Sequence, residues 1–446
     1  MTPPARRSLW RDRSFWRRTG QASVMVWLGH AAVLASSVVL ARSLSVSAFG
    51  AVVLATSVVT VLSSLLDLTF DEAVVYYGVR ADETGSRREL KGLLRSSVLL
   101  DLGIGIGIWL IILAAATPIA EVASRGRLDP DLVRVASLIA LANTLDGSTG
   151  AALFIVGKAQ LRAITFGLAG VTRLGLVLVV ARTGSEAAVL LAYAVALAVA
   201  SSVQCVLAWR LAWRPLRDVA AQGGVRAWVR PLFRFGVHTS ITTTIASAGA
   251  GIVPAIVARS AGVEEAAVLA VAMLPITAVL VGSTPLRLML LPEQARMSAT
   301  GADESLRRVL DQYVLAALAL GVVGALAGWL LLPTLVPALY SDRYDVAVGP
   351  ARVLLIGAVA RLATVWSKNF PAAIGRPQLR TWMAGVELAL VLLLLVFLAR
   401  RGSAGAAWAL SISYGAVAVI WWVVSHAMLR RGVRHRTAPP PLPADH

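Results

Sequence analysis

Asp146, Arg173, Arg361 and Glu387 each lie near the middle of a long apolar run. A charge placed where water does not reach is costly, so it is there to meet an opposite charge or to handle a charged solute. The four alternate in sign: acid then base in one pair of neighbouring runs, base then acid in another. Two ion pairs, Asp146–Arg173 and Arg361–Glu387, would tie antiparallel neighbours together. Alternatively, an arginine facing a cavity would attract an anionic group, because the guanidinium fork matches phosphate. His30 sits at the centre of the first run, and Asp101 lies a third of the way into the third. Arg42 and Arg259 close two runs on what reads as the outer side, where such side chains commonly snorkel to headgroups. His238, and Arg287 beside Pro285, are inner-half candidates; a lone histidine there also serves helix packing. The cavity candidates are thus Arg42, Arg259, Arg287, Arg173, Arg361, His30 and His238. The candidates for Na⁺ or H⁺ coupling are Asp71 and Glu72, at the acidic inner end of the second run with Asp67, together with Asp146 and Glu387.

Other chemistries find no support in the sequence. It has no Walker loop, no histidine-rich metal spacing and no serine nucleophile elbow, so no catalytic residue, metal site or cofactor is expected. Cys205 is the single cysteine, which excludes an intrachain disulfide and a thiolate cluster.

The elements that must position these groups follow from composition. The 446 residues are 57% hydrophobic and 15% charged, against about 25% charged in soluble domains. A helix crossing the hydrocarbon core needs about 20 apolar residues. Twelve such runs are expected: 20–41, 47–69, 93–116, 132–156, 161–181, 186–209, 232–258, 264–289, 311–333, 349–369, 379–399 and 404–427. Tight turns at Gly157-Lys158 and Arg182-Thr183-Gly184 make the fourth, fifth and sixth runs antiparallel neighbours. Pro275 and Pro285, and Gly249 and Gly251 before Pro254, are expected to break the eighth and seventh runs.

The net charge of +18 does not indicate nucleic acid, because the arginines stand in short clusters between apolar runs. Clusters of that kind mark inner loops and anionic membrane lipid. With both termini inside, 30 of the 42 basic residues fall on inner segments, 10 on outer ones and two in mid-run. The domain plan is a basic, aromatic interfacial segment (1–19), an N-terminal lobe (20–209), a basic hinge loop (210–231), a C-terminal lobe (232–428) and a basic, proline-rich tail (429–446). The halves echo each other: Ala41-Arg42-Ser43, Val46, Ala55 and Thr60 return as Ala258-Arg259-Ser260, Val263, Ala272 and Thr277, at a constant offset of 217 residues. The expected fold is an all-α polytopic membrane protein, with twelve transmembrane helices in two six-helix lobes related by pseudo-two-fold symmetry. Parallel repeats of that kind build alternating-access transporters.

Several short signatures carry a resemblance on this plan. They are Ala41-Arg42-Ser43-Leu44 with Phe49-Gly50, Leu291-Pro292-Glu293 before Asp303, Tyr340 and Tyr344, Gly375-Arg376-Pro377, and Gly402 with Gly405-Ala406-Ala407. The chain resembles the polysaccharide-transport (O-antigen flippase-like) family of the multidrug/oligosaccharidyl-lipid/polysaccharide exporter superfamily. The resemblance implies a V-shaped pair of lobes in the bacterial cytoplasmic membrane, moving undecaprenyl-diphosphate-linked oligosaccharides outward for surface or exopolysaccharide assembly. It also implies cavity arginines at Arg42, Arg259 and Arg287, and leaves a glycan polymerase or export machinery open as partner. A multidrug or cation antiporter on the same fold stays open too. A polyprenyl-dependent polymerase or ligase would need a large outer catalytic loop, and the outer loops, near 117–131 and 332–348, are short. If both termini are cytoplasmic, a fluorescent protein fused after His446 will fold and fluoresce, and alkaline phosphatase fused there will be inactive. The reverse pattern contradicts the orientation.

Overall fold

The structure is a computed structural model describing residues 13–66, 70–283, 294, 303–373 and 377–430. Among the described residues all regular structure is helical. This suits long runs of Ala, Leu and Val in a medium where every backbone polar group must be satisfied internally. Among the described residues nine helical stretches are long and apolar enough to cross a membrane, or ten if one bent pair counts as a span.

The first compact unit covers Met1–Ala267. It contains α1 (Arg13–Ser43), α2 (Val46–Leu66), α3 (Asp71–Glu83), α4 (Arg87–Ala114), α5 (Ala116–Ser124), α6 (Pro130–Ala142), α7 (Asp146–Ile155), α8 (Ala159–Val180), α9 (Glu186–Ala208) and α10 (Val225–Ala261). Close backbone approach organises it. α1 runs along α8, where Gly29 lies against the Phe166 ring and Gly170 against the Gly29 backbone. α2 runs along α10, where Gly251 meets the Ser57 carbonyl, and a Cβ on Gly50 would overlap the carbonyl of Val263, the first residue of the helix that follows α10. The expected turns are present, with Gly157 and Gly184 at φ 69° and 67°, a region open to glycine at little cost. Phe70, Leu93, Leu94, Leu153 and Leu232 form a fully buried core joining α3, α4, α7 and α10.

The basic hinge loop is tied down. The chain leaves α9 through a π-turn (Trp209–Trp213) and a 3-10 turn (Arg214–Leu216). Lys91 Nζ then donates to the Arg217 and Val219 carbonyls at 2.8 and 2.6 Å, and the Gln222 N–H donates to the Arg88 carbonyl at 2.9 Å. The following helix, α10, begins at Val225, earlier than the expected 232, and runs continuously through Gly249, Gly251 and Pro254. The expected break there is not formed: Gly251 is packed against α2, which holds the helix through the proline.

The second unit covers Val268–His446. α11 (Val263–Ala272) leads into α12 (Leu274–Gly282) with a bend of 42° at Met273. Pro275 stands in the first turn of α12, where its missing N–H costs nothing. Next come α13 (Asp303–Tyr340), α14 (Val348–Ala363), α15 (Val365–Ala373), α16 (Pro377–Leu398) and α17 (Gly402–Arg430). Signature residues turn out to be packing residues. Tyr344 is fully buried with its ring 6.2 Å from Tyr340, Gly402 has φ 66°, and Gly405 lies against the Leu398 carbonyl. Pro285, Leu291-Pro292-Glu293 and Gly375-Arg376 lie outside the described residues.

Two runs expected to be unbroken are broken. The fourth divides into α6 and α7 at 143–145, and the tenth into α14 and α15 at Thr364. Neither break has a proline. In both, a threonine hydroxyl takes up a backbone carbonyl: Thr144 that of Ala140 at 3.3 Å, Thr364 that of Arg361 at 2.8 Å. Such side-chain bonds offer the backbone an alternative to helix continuation. The two breaks stand about one repeat offset apart in the sequence. Thr60 and Thr277, one offset apart, also make the same bond, to the Thr56 and Met273 carbonyls.

Replacing Gly50 with valine forces a side chain onto the Val263 backbone and should destabilise by about 1–3 kcal/mol. In a thermal melt of the purified protein this lowers the transition. Gly175→Val, where a Cβ meets nothing within 4 Å, should leave it in place. Equal transitions would refute the close approach of Gly50 to the Val263 backbone.

Candidate functional site

Five helices of the first unit bring polar groups to the start of α7. Asp146 is its first residue, Asp71 the first of α3, and Arg162 lies in the opening turn of α8. Arg162 Nη2 donates to Asp146 Oδ2 at 2.9 Å, and its Nη1 is 3.7 Å from Asp71 Oδ2. From α9, Gln204 Nε2 donates to Asp146 Oδ1 at 3.0 Å and approaches Thr149 Oγ1 at 2.9 Å, while Thr165 Oγ1 donates to Gln204 Oε1 at 2.7 Å. From α4, Asp101 Oδ2 accepts the Ser148 N–H at 2.8 Å. That N–H points out of the first turn of α7, where a helix has unsatisfied donors and favours negative charge. Glycine makes the crowding feasible. A Cβ on Gly150 would come within 2.9 Å of Arg162 Nε, and one on Gly147 within 3.3 Å of Asp101 Oδ2. Asp101 also lines a cavity of about 370 Å³ walled by α2, α4, α6, α9 and α10.

This corrects the expected Asp146–Arg173 pair. Asp146 is held by Arg162 and Gln204, and Arg173 stacks over the Tyr193 ring with Cζ 3.5 Å from its centroid. Among the described residues Arg173 forms no ion pair, and its buried Nε has no hydrogen-bond partner. Arg162 stands only one turn into an apolar run, where it counts as a loop charge. Gln204 was a lone amide inside the sixth run and is 1% exposed; a polar group so placed is itself a signal.

In the second unit Arg361 and Glu387 do meet as an ion pair. Lys368 Nζ adds a second contact to Glu387 at 3.1 Å, and the Arg361 guanidinium lies 4.3 Å from the Tyr414 ring centroid. One acid therefore serves two bases across the break between α14 and α15. Near α17's end, His426 Nε2 lies 2.8 Å from Asp311 Oδ1.

The remaining candidates scatter. His30 sits at the α1–α8 contact with its ring 5.0 Å from Phe166. Arg42 is exposed in the last turn of α1. Arg259, exposed in the last turn of α10, donates to the Val122 carbonyl. Arg287 and Asp67 lie outside the described residues, as do the side chains of Glu72 and His238. Among the described residues no three His, Cys, Asp or Glu side chains are placed to hold a metal ion. A double-mutant cycle on stability will give a coupling of about 1 kcal/mol for Asp146 with Arg162 and none beyond error for Asp146 with Arg173. Coupling to Arg173 instead would overturn the assignment.

The family described as polysaccharide biosynthesis protein matches residues 16–298. No curated protein sequence matches the chain. Among solved structures, the lipid II flippase MurJ in its inward closed conformation aligns with TM-score 0.73 and 12% identity, over 91% of this chain and 87% of that one. An inward-facing multidrug resistance MATE family transporter of the MOP superfamily aligns at 0.67 and 15%, over 94% and 96%. A MOP superfamily transporter from Pyrococcus furiosus, noted for the reverse polarity of its binding pocket, aligns at 0.62 and 15%, over 93% and 96%. At such identities these likenesses establish the fold alone, an all-helical one whose several long apolar helices suit a multi-pass membrane protein. With more than half of its length matched, the chain belongs to the polysaccharide biosynthesis protein family.

Proposed function

We propose that the protein is a flippase moving a polyprenyl-diphosphate-linked oligosaccharide across the bacterial cytoplasmic membrane by alternating access. The observation that carries this reading is Arg173, a cation deep in an apolar run that has no carboxylate partner among the described residues. An uncompensated guanidinium in a medium of low dielectric favours an anion, and a diphosphate offers two. The prenyl chain can stay in lipid throughout, so only the head group has to be escorted past about 30 Å of hydrocarbon. Arg42, Arg259 and Arg287 are proposed as further cationic stations, and Arg361 as one whose charge Glu387 partly offsets. His30 and His238 are proposed as polar neighbours of the path.

The proposal includes twelve spans in two six-helix lobes, 20–209 and 232–428, joined by the hinge loop 210–231, with both termini cytoplasmic. Two observations support the count. The stretch Gln378–Leu429 has 52 residues, about 78 Å at 1.5 Å per residue, enough for two crossings; and α10, at 37 residues, has the length for one beside the bent pair α11–α12. Asp71 and Asp146, sharing Arg162, are proposed to exchange a coupling H⁺ or Na⁺, with Glu72 and Glu387 as further candidates. That surplus of acid also favours the second reading, a cation antiporter. A glycan polymerase or export complex would receive the flipped product.

Binding of a short-chain polyprenyl diphosphate to the purified protein decides between the two. Arg173→Gln should weaken it about tenfold or more, the loss of one charge-assisted contact, and Arg173→Lys should restore part. Unchanged affinity in Arg173→Gln and in the Arg42→Gln/Arg259→Gln double variant would overturn the anion reading.

A further inference from the structure

We propose that the cavity beside Asp101 is a carbohydrate subsite, taking one neutral sugar ring of the lipid-linked substrate; this rests on the flippase reading. The volume of about 370 Å³ lies in the range of small-molecule sites. Its polar lining includes the Asp101 carboxylate, the Asn143 amide and the hydroxyls of Thr60, Ser63 and Thr144. Thr60 and Thr144 donate their hydroxyl protons to the Thr56 and Ala140 carbonyls, so toward the cavity they offer lone pairs. Ser63 Oγ is buried without a hydrogen-bond partner, which in a folded protein calls for an explanation. The cavity is therefore rich in acceptors and asks for a ligand with several donors.

Three ligand classes can be weighed. A phosphate is disfavoured, because among the described residues no basic side chain lines the cavity and one carboxylate does. A metal ion is disfavoured, because that carboxylate stands alone among the lining residues and no ligand group of three exists among the described residues. An organic cation is disfavoured, because among the described residues no aromatic ring lines the wall to face it. A neutral polyol satisfies the acceptors, and its C–H faces fit Ile108, Ile139 and Leu197 on the same wall.

The position also links the sugar to the coupling network. Asn143 and Thr144 are the break between α6 and α7, and Asp101 is held by the Ser148 N–H in the turn that carries Asp146. A ring seated there touches the same turn that Arg162 grips through Asp146.

The test uses the full chain in lipid nanodiscs, with saturation-transfer NMR of methyl β-glucopyranoside and methyl N-acetyl-β-glucosaminide as probes. Ring-proton signals are expected for the wild type and should fall at least fivefold in Asp101→Asn, which keeps an acceptor for Ser148, and in Ser63→Leu, which fills the space. Thr60→Val, close to isosteric, should also lower them should Ser63→Leu not fold. Tetraphenylphosphonium should not displace the glycosides. Full-strength signals in Asp101→Asn, displacement by tetraphenylphosphonium, or no wild-type signal at all would overturn the proposal. Binding of sugar-free polyprenyl diphosphate, measured on the same samples, separates the two failures. Its loss in the wild type counts against the flippase reading, and its persistence without glycoside signals counts against the subsite alone.

Discussion

A carboxylate or guanidinium buried in a membrane protein is costly unless it is compensated, and the first unit compensates Asp146, Asp71 and Arg162 at one point. The Arg162 guanidinium reaches both Asp146 and Asp71, so one cation holds the first residues of two helices. Gln204, almost fully buried, closes the arrangement by bonding Asp146, Thr149 and Thr165. The break between α6 and α7 follows from this. Ending the helix at Ala142 aims a fresh N-terminal turn at Asp101, and glycines at 147 and 150 let the charged side chains come close.

The second unit uses the inverse arrangement at the corresponding break. There Glu387 stands between Arg361 and Lys368, with the excess charge positive. The Tyr414 ring takes part of the Arg361 charge, as Tyr193 does for Arg173. The ion pairs thus put two acids on one base at the first break and two bases on one acid at the second.

Much of the fold was legible because hydropathy is a strong signal. The positions of Asp146, Arg173, Arg361 and Glu387 stood out against their apolar runs, and the Arg361–Glu387 pair followed from their placement. The Asp146–Arg173 pair did not form, because pairing depends on helix azimuth and on competitors, and Arg162 was a nearer one. Helix breaks without proline escaped notice: at Thr364 nothing but a threonine departs from a helical pattern, and at Thr144 the cluster Asn143, Asp146, Gly147 and Ser148 is a turn signal that the hydropathy of the run overrode. The cavity was illegible for a related reason. Thr60, Ser63, Asp101 and Thr144 are scattered over three apolar runs, and only packing brings them to one wall.

The proposed flippase carries a glycan head group past the hydrocarbon while its lipid tail stays in place. Its most direct test is leaflet translocation in proteoliposomes holding a polyprenyl-diphosphate oligosaccharide on the inner leaflet only, read by the fraction that an external glycosidase can cleave. Wild-type protein should make the inner pool cleavable over time, and Arg173→Gln should slow it by tenfold or more. An inner pool that stays protected as it does in protein-free vesicles would contradict the account.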